Sequence, residues 1–147
     1  MARYKAEIHT ARGPDSAFDY LSRFDSVAEW DPGIASAKML TPEPVGLGSR
    51  FELVARFVGR KVPLEYEIVE FEPGRRVVLR AENGSIRSTD TISFHAEGSG
   101  TRVVYDALLE SKWAGRVVDP VLGLVFGRIA DRAATGLRRA LTAVQSS

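Results

Sequence analysis

Asp90 carries the strongest chemical signal in this sequence. It lies in the stretch "SIRSTDTISF", whose alternation places Asp90 on the same strand face as Ile92 and Phe94. An ionised carboxylate on an apolar wall is unfavourable unless it is paired, and it can keep its proton instead, as acid–base groups do. The alternative is a position near the end of the sheet, where Asp90 accepts hydrogen bonds from a loop or from water and its pKa is lowered. We expect this second arrangement.

Tyr66 and Tyr105 are predicted to lie on the same apolar face as Asp90. A buried phenol needs a hydrogen-bond partner. The partner is either a ligand oxygen or, without a ligand, the backbone, water or the other tyrosine. Neither tyrosine identifies a reaction, so the catalytic residues stay unknown at this level.

Other kinds of reactive site are not indicated. The chain has no cysteine, which excludes disulfides, thiolate metal sites and a cysteine nucleophile. His9 and His95 are predicted on solvent-facing sides of strands and without a carboxylate cluster, so no metal site is expected. No G-x-S-x-G nucleophile elbow occurs, and neither "GLG" nor "GSG" is followed by a helix, as a dinucleotide fingerprint requires. We therefore expect no metal and no cofactor.

Length and charge restrict the class of protein. The 147 residues are expected to form one domain, 1–147, of ordinary globular composition. The formal net charge is +1 and the basic residues are scattered, so nucleic acid is not an expected partner. The N-terminus lacks the apolar core of a signal peptide, and the most apolar stretch, residues 117–130, is too short to span a bilayer. These features favour a cytoplasmic protein without stable membrane insertion.

Short elements separated by turn residues are predicted in the first third of the chain. They are a strand over residues 3–10, a short helix within 13–24, a turn at "EWDPG", a strand over 34–40 and a loop over 41–48. The helix is expected to bury Ala17, Phe18 and Leu21, which share one face at helical spacing.

Five strands joined by four short turns are predicted between Ser49 and Ser111. The turns are "VGRK", "EPGR", "ENGS" and "EGSG", and the third contains Asn-Gly, a strong hairpin signal. Closing every hairpin over two residues pairs Ala55 with Leu64, Ile68 with Leu79, and Asp90 with both Val77 and Ala107. This register gathers the apolar residues on one face and leaves Glu70 among them, where a β-bulge is expected.

A long helix is predicted to close the chain. Asp119 and Pro120 form a helix start, and apolar residues recur at helical spacing from Val121 to Val144. The predicted architecture is α+β, with a strongly bent antiparallel sheet wrapped around this helix.

The order of these elements resembles the START-like (SRPBCC) superfamily of polyketide cyclase/dehydrase-type and lipid-transport proteins. The similarity rests on the short helix, the "EWDP" turn, the meander with "GSRFEL", "PLEYEIVEFEPGRRVVLRAE" and "GTRVVY", and the C-terminal helix. The resemblance covers nearly the whole chain. It implies a helix-grip fold with a deep, largely apolar cavity that holds a hydrophobic small molecule. It also implies that Trp30 lies at the cavity mouth with Glu29 and Asp31 in water, unless Trp30 is a core side chain that seals one end of the sheet.

The expected ligand-binding residues are those of the inward faces of sheet and helix. They are Trp30, Phe51, Leu53, Tyr66, Ile68, Leu79, Asp90, Ile92, Tyr105, Phe126 and Ile129. We favour a non-enzymatic binder or carrier of a lipid-like or polyketide-like molecule. The alternative is an enzyme of the polyketide cyclase or aromatase type, acting on a poly-keto or aromatic substrate in the same cavity.

Two features would separate these functions. An inward polar cluster around Asp90 with a perturbed pKa would favour the enzyme, whereas a cavity that is polar only at its mouth would favour the binder. A third possibility, a partner-binding module or stress-related regulator, would require that the cavity be filled as ordinary core.

Overall fold

The computed structural model describes residues 2–57, 59–82, 86–111 and 120–143. In chain order, the elements are β1 (Ala2–Thr10), α1 (Pro14–Ser22), α2 (Val27–Trp30), β2 (Ile34–Met39), β3 (Arg50–Phe57), β4 (Arg60–Glu72), β5 (Arg76–Glu82), β6 (Ile86–Glu97), β7 (Gly100–Ser111) and α3 (Pro120–Ala143). A 3₁₀ turn at Phe24–Ser26 joins α1 to α2. Every predicted strand and helix is present. The predicted "EWDPG" turn differs, because its first two residues end α2. Asp119, the predicted helix start, lies outside the described residues.

All seven strands form one antiparallel sheet in the order β1-β7-β6-β5-β4-β3-β2. The sheet curls into a half-barrel, and α3 is the C-terminal helix of the fold. The five strands of the meander are neighbours in chain order, while β1 pairs with β7 at one edge and β2 with β3 at the other. The two strands outside the meander therefore widen the sheet at both ends.

The predicted register is confirmed for the β6–β7 hairpin and, in the β4–β5 hairpin, only for the pairs beyond the bulge. Ile68 pairs with Leu79, and Asp90 pairs with Ala107. Next to the β4–β5 turn the prediction is wrong by one residue, because Glu72 pairs with Arg76 and not with Arg75. The predicted bulge is present as well, because the register shifts between Ile68 and Glu70 and leaves Glu70 exposed. The extra residue at the bulge thus turns the Glu70 carboxylate away from the apolar face of the sheet.

The predicted register is wrong by two residues in the β3–β4 hairpin. Ala55 pairs with Val62 instead of Leu64. Gly59 has a φ of +75°, which suits glycine, and it directly precedes the closing residue Arg60. Gly59 is therefore the second residue of the turn and not the first.

The predicted register of the β5–β6 hairpin is also wrong by two residues. Asp90 pairs with Leu79 instead of Val77, because residues 83–86, and not two residues alone, connect the paired strands. The Asn-Gly pair lies outside the described residues. A shift of two residues preserves the side that each residue faces, so the predicted inward face is retained in both hairpins.

Aromatic rings fill the part of the sheet beneath α1 and the 3₁₀ turn. Phe18 of α1 packs edge-on against Phe71 and Phe94, with ring centroids 5.2 and 5.3 Å apart. Phe24 of the 3₁₀ turn packs against Phe51 at 6.4 Å. We call the region around these five rings the packed half.

The C-terminal helix α3 packs on the sheet and on α2. Its Leu137 and Leu141 are buried in the core. Gly136 touches the backbone of Trp30 so closely that an added Cβ would lie 1.7 Å from the Trp30 carbonyl oxygen. Glycine at this position therefore lets α3 approach the end of α2. Within the described residues, no helix has the length and apolar character needed to cross a membrane.

Candidate functional site

A cavity of about 290 Å³ lies between the sheet and α3. Small side chains from both sides form much of its wall, and they are Ala6, Ala55, Ala81, Ala107, Ala130, Ala133 and Ala134. Because alanines face one another where larger side chains would meet in an ordinary core, the space between them stays unfilled. We call this region the hollow half.

The cavity reaches the surface at the ends of β3 and β5. Arg56 and Glu82 are both exposed and both belong to its wall. The guanidinium of Arg56 donates to the carbonyl oxygens of Pro32 and Ile34, at 3.1 and 3.4 Å. This arginine ties the loop before β2 to β3 beside the opening.

Four polar side chains meet inside the cavity, and we call Tyr66, Ser88, Asp90 and Tyr105 the polar cluster. Tyr105 donates its hydroxyl to Oδ2 of Asp90 at 2.5 Å. Tyr66 donates to Oγ of Ser88 at 3.2 Å, and Ser88 donates to Oδ1 of Asp90 at 3.5 Å. The period of two in β6 places Ser88 and Asp90 on one face, and Tyr105, which pairs with Ile92, lies diagonally across from Asp90 on the same face.

Asp90 is only 7% exposed and takes no hydrogen bond from a loop among the described residues. Burial raises the pKa of Asp90 to about 6, although the hydrogen bonds from Tyr105 and Ser88 oppose the shift. The prediction that the pKa of Asp90 is lowered is therefore wrong. The cause is that the carboxylate lies deep in the cavity, where desolvation outweighs the two hydroxyl donors.

The pKa values of the two tyrosines of the cluster are raised, as that of Asp90 is. Burial, followed by the nearby Asp90 carboxylate, raises the pKa of Tyr66 and of Tyr105. Both phenols therefore keep their protons at neutral pH and act as hydrogen-bond donors. The partners of Tyr66 and Tyr105 are thus Ser88 and Asp90, and not each other.

Trp30 combines the two positions considered from the sequence. It is 5% exposed, so it is a core residue, and its ring also forms part of the cavity wall. The ring lies edge-on to Tyr105 with centroids 6.0 Å apart. The indole Nε1 is buried and has no hydrogen-bond partner within the described part of the chain.

Asp31 does not lie in water as expected, whereas Glu29 does. Glu29 is exposed and accepts a hydrogen bond from the Tyr20 hydroxyl at 3.0 Å. Asp31 is half-buried on the cavity wall, and this burial raises the pKa of its carboxyl. Its Oδ1 accepts the backbone N–H of Gly33 at 2.8 Å. The turn around Gly33 folds the carboxylate back towards the cavity.

The predicted site residues divide between the cavity and the core. Four of them line the cavity, namely Trp30, Tyr66, Asp90 and Tyr105. Five belong instead to the buried core and not to the cavity wall, namely Phe51, Leu53, Ile68, Leu79 and Ile92. The reason is that α1 and the 3₁₀ turn cover that part of the sheet. The side chains of Phe126 and Ile129 lie outside the described residues. That any of these residues binds a ligand stays a prediction.

Several cavity residues were not predicted as site residues, and one pattern in the sequence could have found them. Ala55, Ala81 and Ala107 occupy inward positions of β3, β5 and β7, where large apolar residues are usual. Small residues on facing inward positions indicate a void. Ser88 could have been included because it lies two positions from Asp90.

Other chemistry is not indicated by the geometry. Among residues 2–57, 59–82, 86–111 and 120–143, no group of three His, Cys, Asp or Glu is arranged to hold a metal. His9 and His95 are exposed, as predicted. The polar cluster is thus the main concentration of titratable groups in the cavity.

Comparison with known families gives a match over nearly the whole chain. Residues 1–142 match the model of the family described as polyketide cyclase / dehydrase and lipid transport. No curated protein matches the chain significantly in sequence.

Solved structures with a similar fold come from several organisms. A START superfamily protein from Mycobacterium smegmatis is 15% identical, with a TM-score of 0.77 over 96% of this chain and 97% of that one. A protein from Thermus thermophilus is 21% identical, with a TM-score of 0.79 over 99% of each chain. The Zhui aromatase/cyclase from a Streptomyces species is 12% identical, with a TM-score of 0.72 over 95% of this chain and 90% of that one. At these identities the similarity shows a shared fold.

Proposed function

The chain belongs to the polyketide cyclase/dehydrase and lipid-transport family, and we propose that it binds a hydrophobic small molecule in the cavity between its sheet and α3. The observation that supports this function is the unfilled, mainly apolar cavity of about 290 Å³. An empty cavity destabilises a protein, by about 24 cal/mol per Å³ in large-to-small core substitutions. A cavity built from alanines on both walls is therefore more consistent with a space kept for a ligand than with a poorly filled core.

The size and lining of the cavity restrict the ligand. Its volume lies at the lower end of the range for ligand pockets, roughly 300–1,000 Å³, which favours a small molecule of a few rings or a short chain. Affinity would come from apolar area removed from water, at about 25 cal/mol per Å², less what immobilising the ligand costs. The polar cluster would orient the molecule. A lipid-like or polyketide-like ligand and a cytoplasmic location stay predictions.

Filling the cavity tests this function. We expect the protein to bind N-phenyl-1-naphthylamine with an increase in fluorescence, and Ala107→Phe to abolish the increase because the new ring occupies the cavity. The matched control is Ala96→Phe, since Ala96 is exposed on β6. Both variants are first checked for folding by circular dichroism. Undiminished binding by a folded Ala107→Phe protein would exclude the cavity as the binding site.

An enzyme of the polyketide cyclase or aromatase type is the second candidate, and the polar cluster is the observation that favours it. A buried carboxyl with a pKa of about 6 is ionised at neutral pH and is a stronger base than an ordinary aspartate. It stands 2.5 Å from a phenol that keeps its proton. Base and proton donor thus meet inside an apolar cavity.

The chemistry that this arrangement could perform is enolate formation. Asp90 would take a proton from the carbon between two carbonyls of a poly-keto substrate, and the electrons of the broken C–H bond would move to a carbonyl oxygen. Once Asp90 is protonated it is neutral, and its negative charge no longer holds the hydrogen bond from Tyr105. The Tyr105 hydroxyl can then donate to the enolate oxygen, where charge develops. The enolate carbon would attack a second carbonyl to close a ring, the π electrons of that carbonyl would move to its oxygen, and this oxygen would take back the proton held by Asp90.

Deuterium exchange separates the enzyme from the binder. If the enzyme is correct, the protein should accelerate uptake of deuterium from D₂O at the central carbon of an aryl 1,3-diketone, relative to buffer alone. Asp90→Asn should remove this acceleration without preventing binding of N-phenyl-1-naphthylamine. A binder would take up the diketone with no increase in the exchange rate.

A further inference from the structure

Each described phenol on the cavity wall already donates its proton to a protein acceptor. Tyr4 donates to Oδ1 of Asp131 at 2.6 Å. Tyr66 donates to Ser88 and Tyr105 to Asp90, at 3.2 and 2.5 Å. A phenol has one proton, so a ligand meeting these oxygens finds lone pairs and no free O–H.

Other donors on the described wall are also occupied or out of reach. The Arg56 guanidinium is engaged with two backbone carbonyls at the opening, away from the cluster. The indole N–H of Trp30 is covered by surrounding atoms. The Ser88 hydroxyl donates its one proton to Oδ1 of Asp90 at 3.5 Å. The carboxylates of Asp31, Glu82 and Asp90 are also on the wall, and a carboxylate only accepts when it is ionised. Near neutral pH, the inner polar end of the cavity therefore accepts hydrogen bonds and does not give them.

From this direction of hydrogen bonding, we propose that the ligand is an apolar molecule with a hydroxyl group, whose O–H donates to the polar cluster. A molecule that ends in an ether or a carbonyl would place its lone pairs against those of Tyr66, Tyr105 and Asp90. This inference rests on the proposed binding function and names the chemical class of its ligand.

Protonation of Asp90 should reverse the preference. A neutral Asp90 carries its own proton and can donate it to the Tyr105 oxygen, which releases the Tyr105 O–H towards the ligand. The charged or titratable groups that act on Asp90 are Tyr66 on β4, Tyr105 and Asp106 on β7, and Asp31 after α2. The described side chains that α3 contributes to the cavity are Ala130, Ala133, Ala134 and Leu137, which do not titrate.

Three naphthalenes of similar size test the proposal by calorimetry on the full chain. The first, 2-naphthol, can donate a hydrogen bond; 2-methoxynaphthalene can only accept; 2-ethylnaphthalene can do neither and matches the ether in size. Near pH 8, we expect 2-naphthol to bind about tenfold more tightly than the ether, the value of one good hydrogen bond. The ether should then bind no better than the ethyl compound.

Acid conditions and one substitution provide the controls. Below the Asp90 pKa of about 6, the ether should gain affinity relative to 2-ethylnaphthalene, and the preference for 2-naphthol should shrink. In Asp90→Asn, whose amide can donate at any pH, the preference should fall to within about twofold. Asp19→Asn, the same change at an exposed position of α1 away from the cavity, should keep the parental preference.

The outcomes distinguish this inference from the function on which it rests. Equal affinity for 2-naphthol and the ether near pH 8, with all three compounds bound, would overturn the hydroxyl class and leave the binding function standing. Binding of none of the three by the folded protein would overturn both. A preference for 2-naphthol that persists unchanged in Asp90→Asn would overturn the role of the polar cluster.

Discussion

The packed half and the hollow half are built from the same strands and differ in the residues at successive inward positions. On β6, Phe94 and Ile92 belong to the buried core, while Asp90 and Ser88 line the cavity. On β5 the change occurs within two residues. Leu79 is fully buried in the core, and the next inward residue is an alanine of the cavity wall.

This difference shows how a single sheet can be closely packed at one end and hollow at the other. Where α1 and the 3₁₀ turn supply phenylalanines, the sheet is closed by close ring contacts. Where α3 supplies alanines, the same sheet keeps a space. The position along each strand, and not the strand itself, therefore decides whether a side chain stabilises the fold or faces the cavity.

Removing an aromatic ring from the packed half should produce the largest effect. Phe18→Ala should lower the free energy of unfolding by about 3–5 kcal/mol, because it leaves a cavity between Phe71 and Phe94. Urea denaturation measures the change. The comparison variant is Leu109→Ala on the cavity wall, where a void already exists, and it should lose clearly less. Equal losses would mean that the two halves are packed alike.

The contact of α3 with α2 should tolerate no added methyl group. Alanine favours a helix over glycine by up to about 1 kcal/mol, but a Cβ at Gly136 would overlap the Trp30 carbonyl oxygen. We therefore expect Gly136→Ala to lower the free energy of unfolding by about 1–3 kcal/mol. Thr135→Ala, at the exposed neighbouring position, is the control and should change stability little. A more stable Gly136→Ala protein would show that α3 does not approach Trp30 so closely.

Asp90→Asn, in the hollow half, should raise the free energy of unfolding near neutral pH, whereas the two preceding substitutions lower it. The pKa of Asp90 is raised from 3.8 to about 6, so ionisation weakens the fold as pH rises above 3.8 and does so fully above about 6. Asparagine removes this effect. The stability of the variant relative to the parent should therefore increase by about 1–3 kcal/mol between pH 4 and pH 7.5, as measured by urea midpoints. A relative stability that falls over this range would mean that the carboxylate is better stabilised in the folded protein than in water.

Partial filling of the cavity from α3 should have the smallest effect on stability. Ala133→Leu adds apolar atoms to an existing space, and we expect a gain of about 0.5–1 kcal/mol, seen as a higher melting temperature. Binding of N-phenyl-1-naphthylamine should weaken at the same time. The same substitution at Ala17, which is fully buried on the face of α1 that covers the packed half, should be destabilising because no space is present.

The inward face of the sheet was predictable because strand periodicity survives a shift of two residues. The partner of Ala55 on β4 and the partner of Asp90 on β5 differ from those predicted, yet both residues face inwards. Which residues of this face line the cavity and which belong to the core was not predictable from periodicity. Leu79 and Ile92 were expected to line the cavity, but the placement of α1 and the 3₁₀ turn puts them in the core.

The environment of Asp90 was predictable in part. Its inward position and its neighbour Ser88 follow from alternation along β6. Its strongest partner, Tyr105, lies on the next strand at a diagonal position, and pairwise register alone does not give that distance. The direction of the pKa shift depends on how deeply the cavity encloses the carboxyl, which is a property of the assembled fold.

The pairing of β1 with β7 constrains when this protein can fold. Ile8 pairs with Val103, so the first strand finds its sheet neighbour only after most of the chain has been made. A contact so distant in sequence slows folding and, during synthesis, leaves the apolar face of β1 uncovered on the ribosome. The meander β3–β7 consists of local hairpins and can form earlier. Synthesis should therefore produce a partly formed sheet that is completed when β1 docks along β7, and a chain that ends before β7 would present β1 with no strand to join.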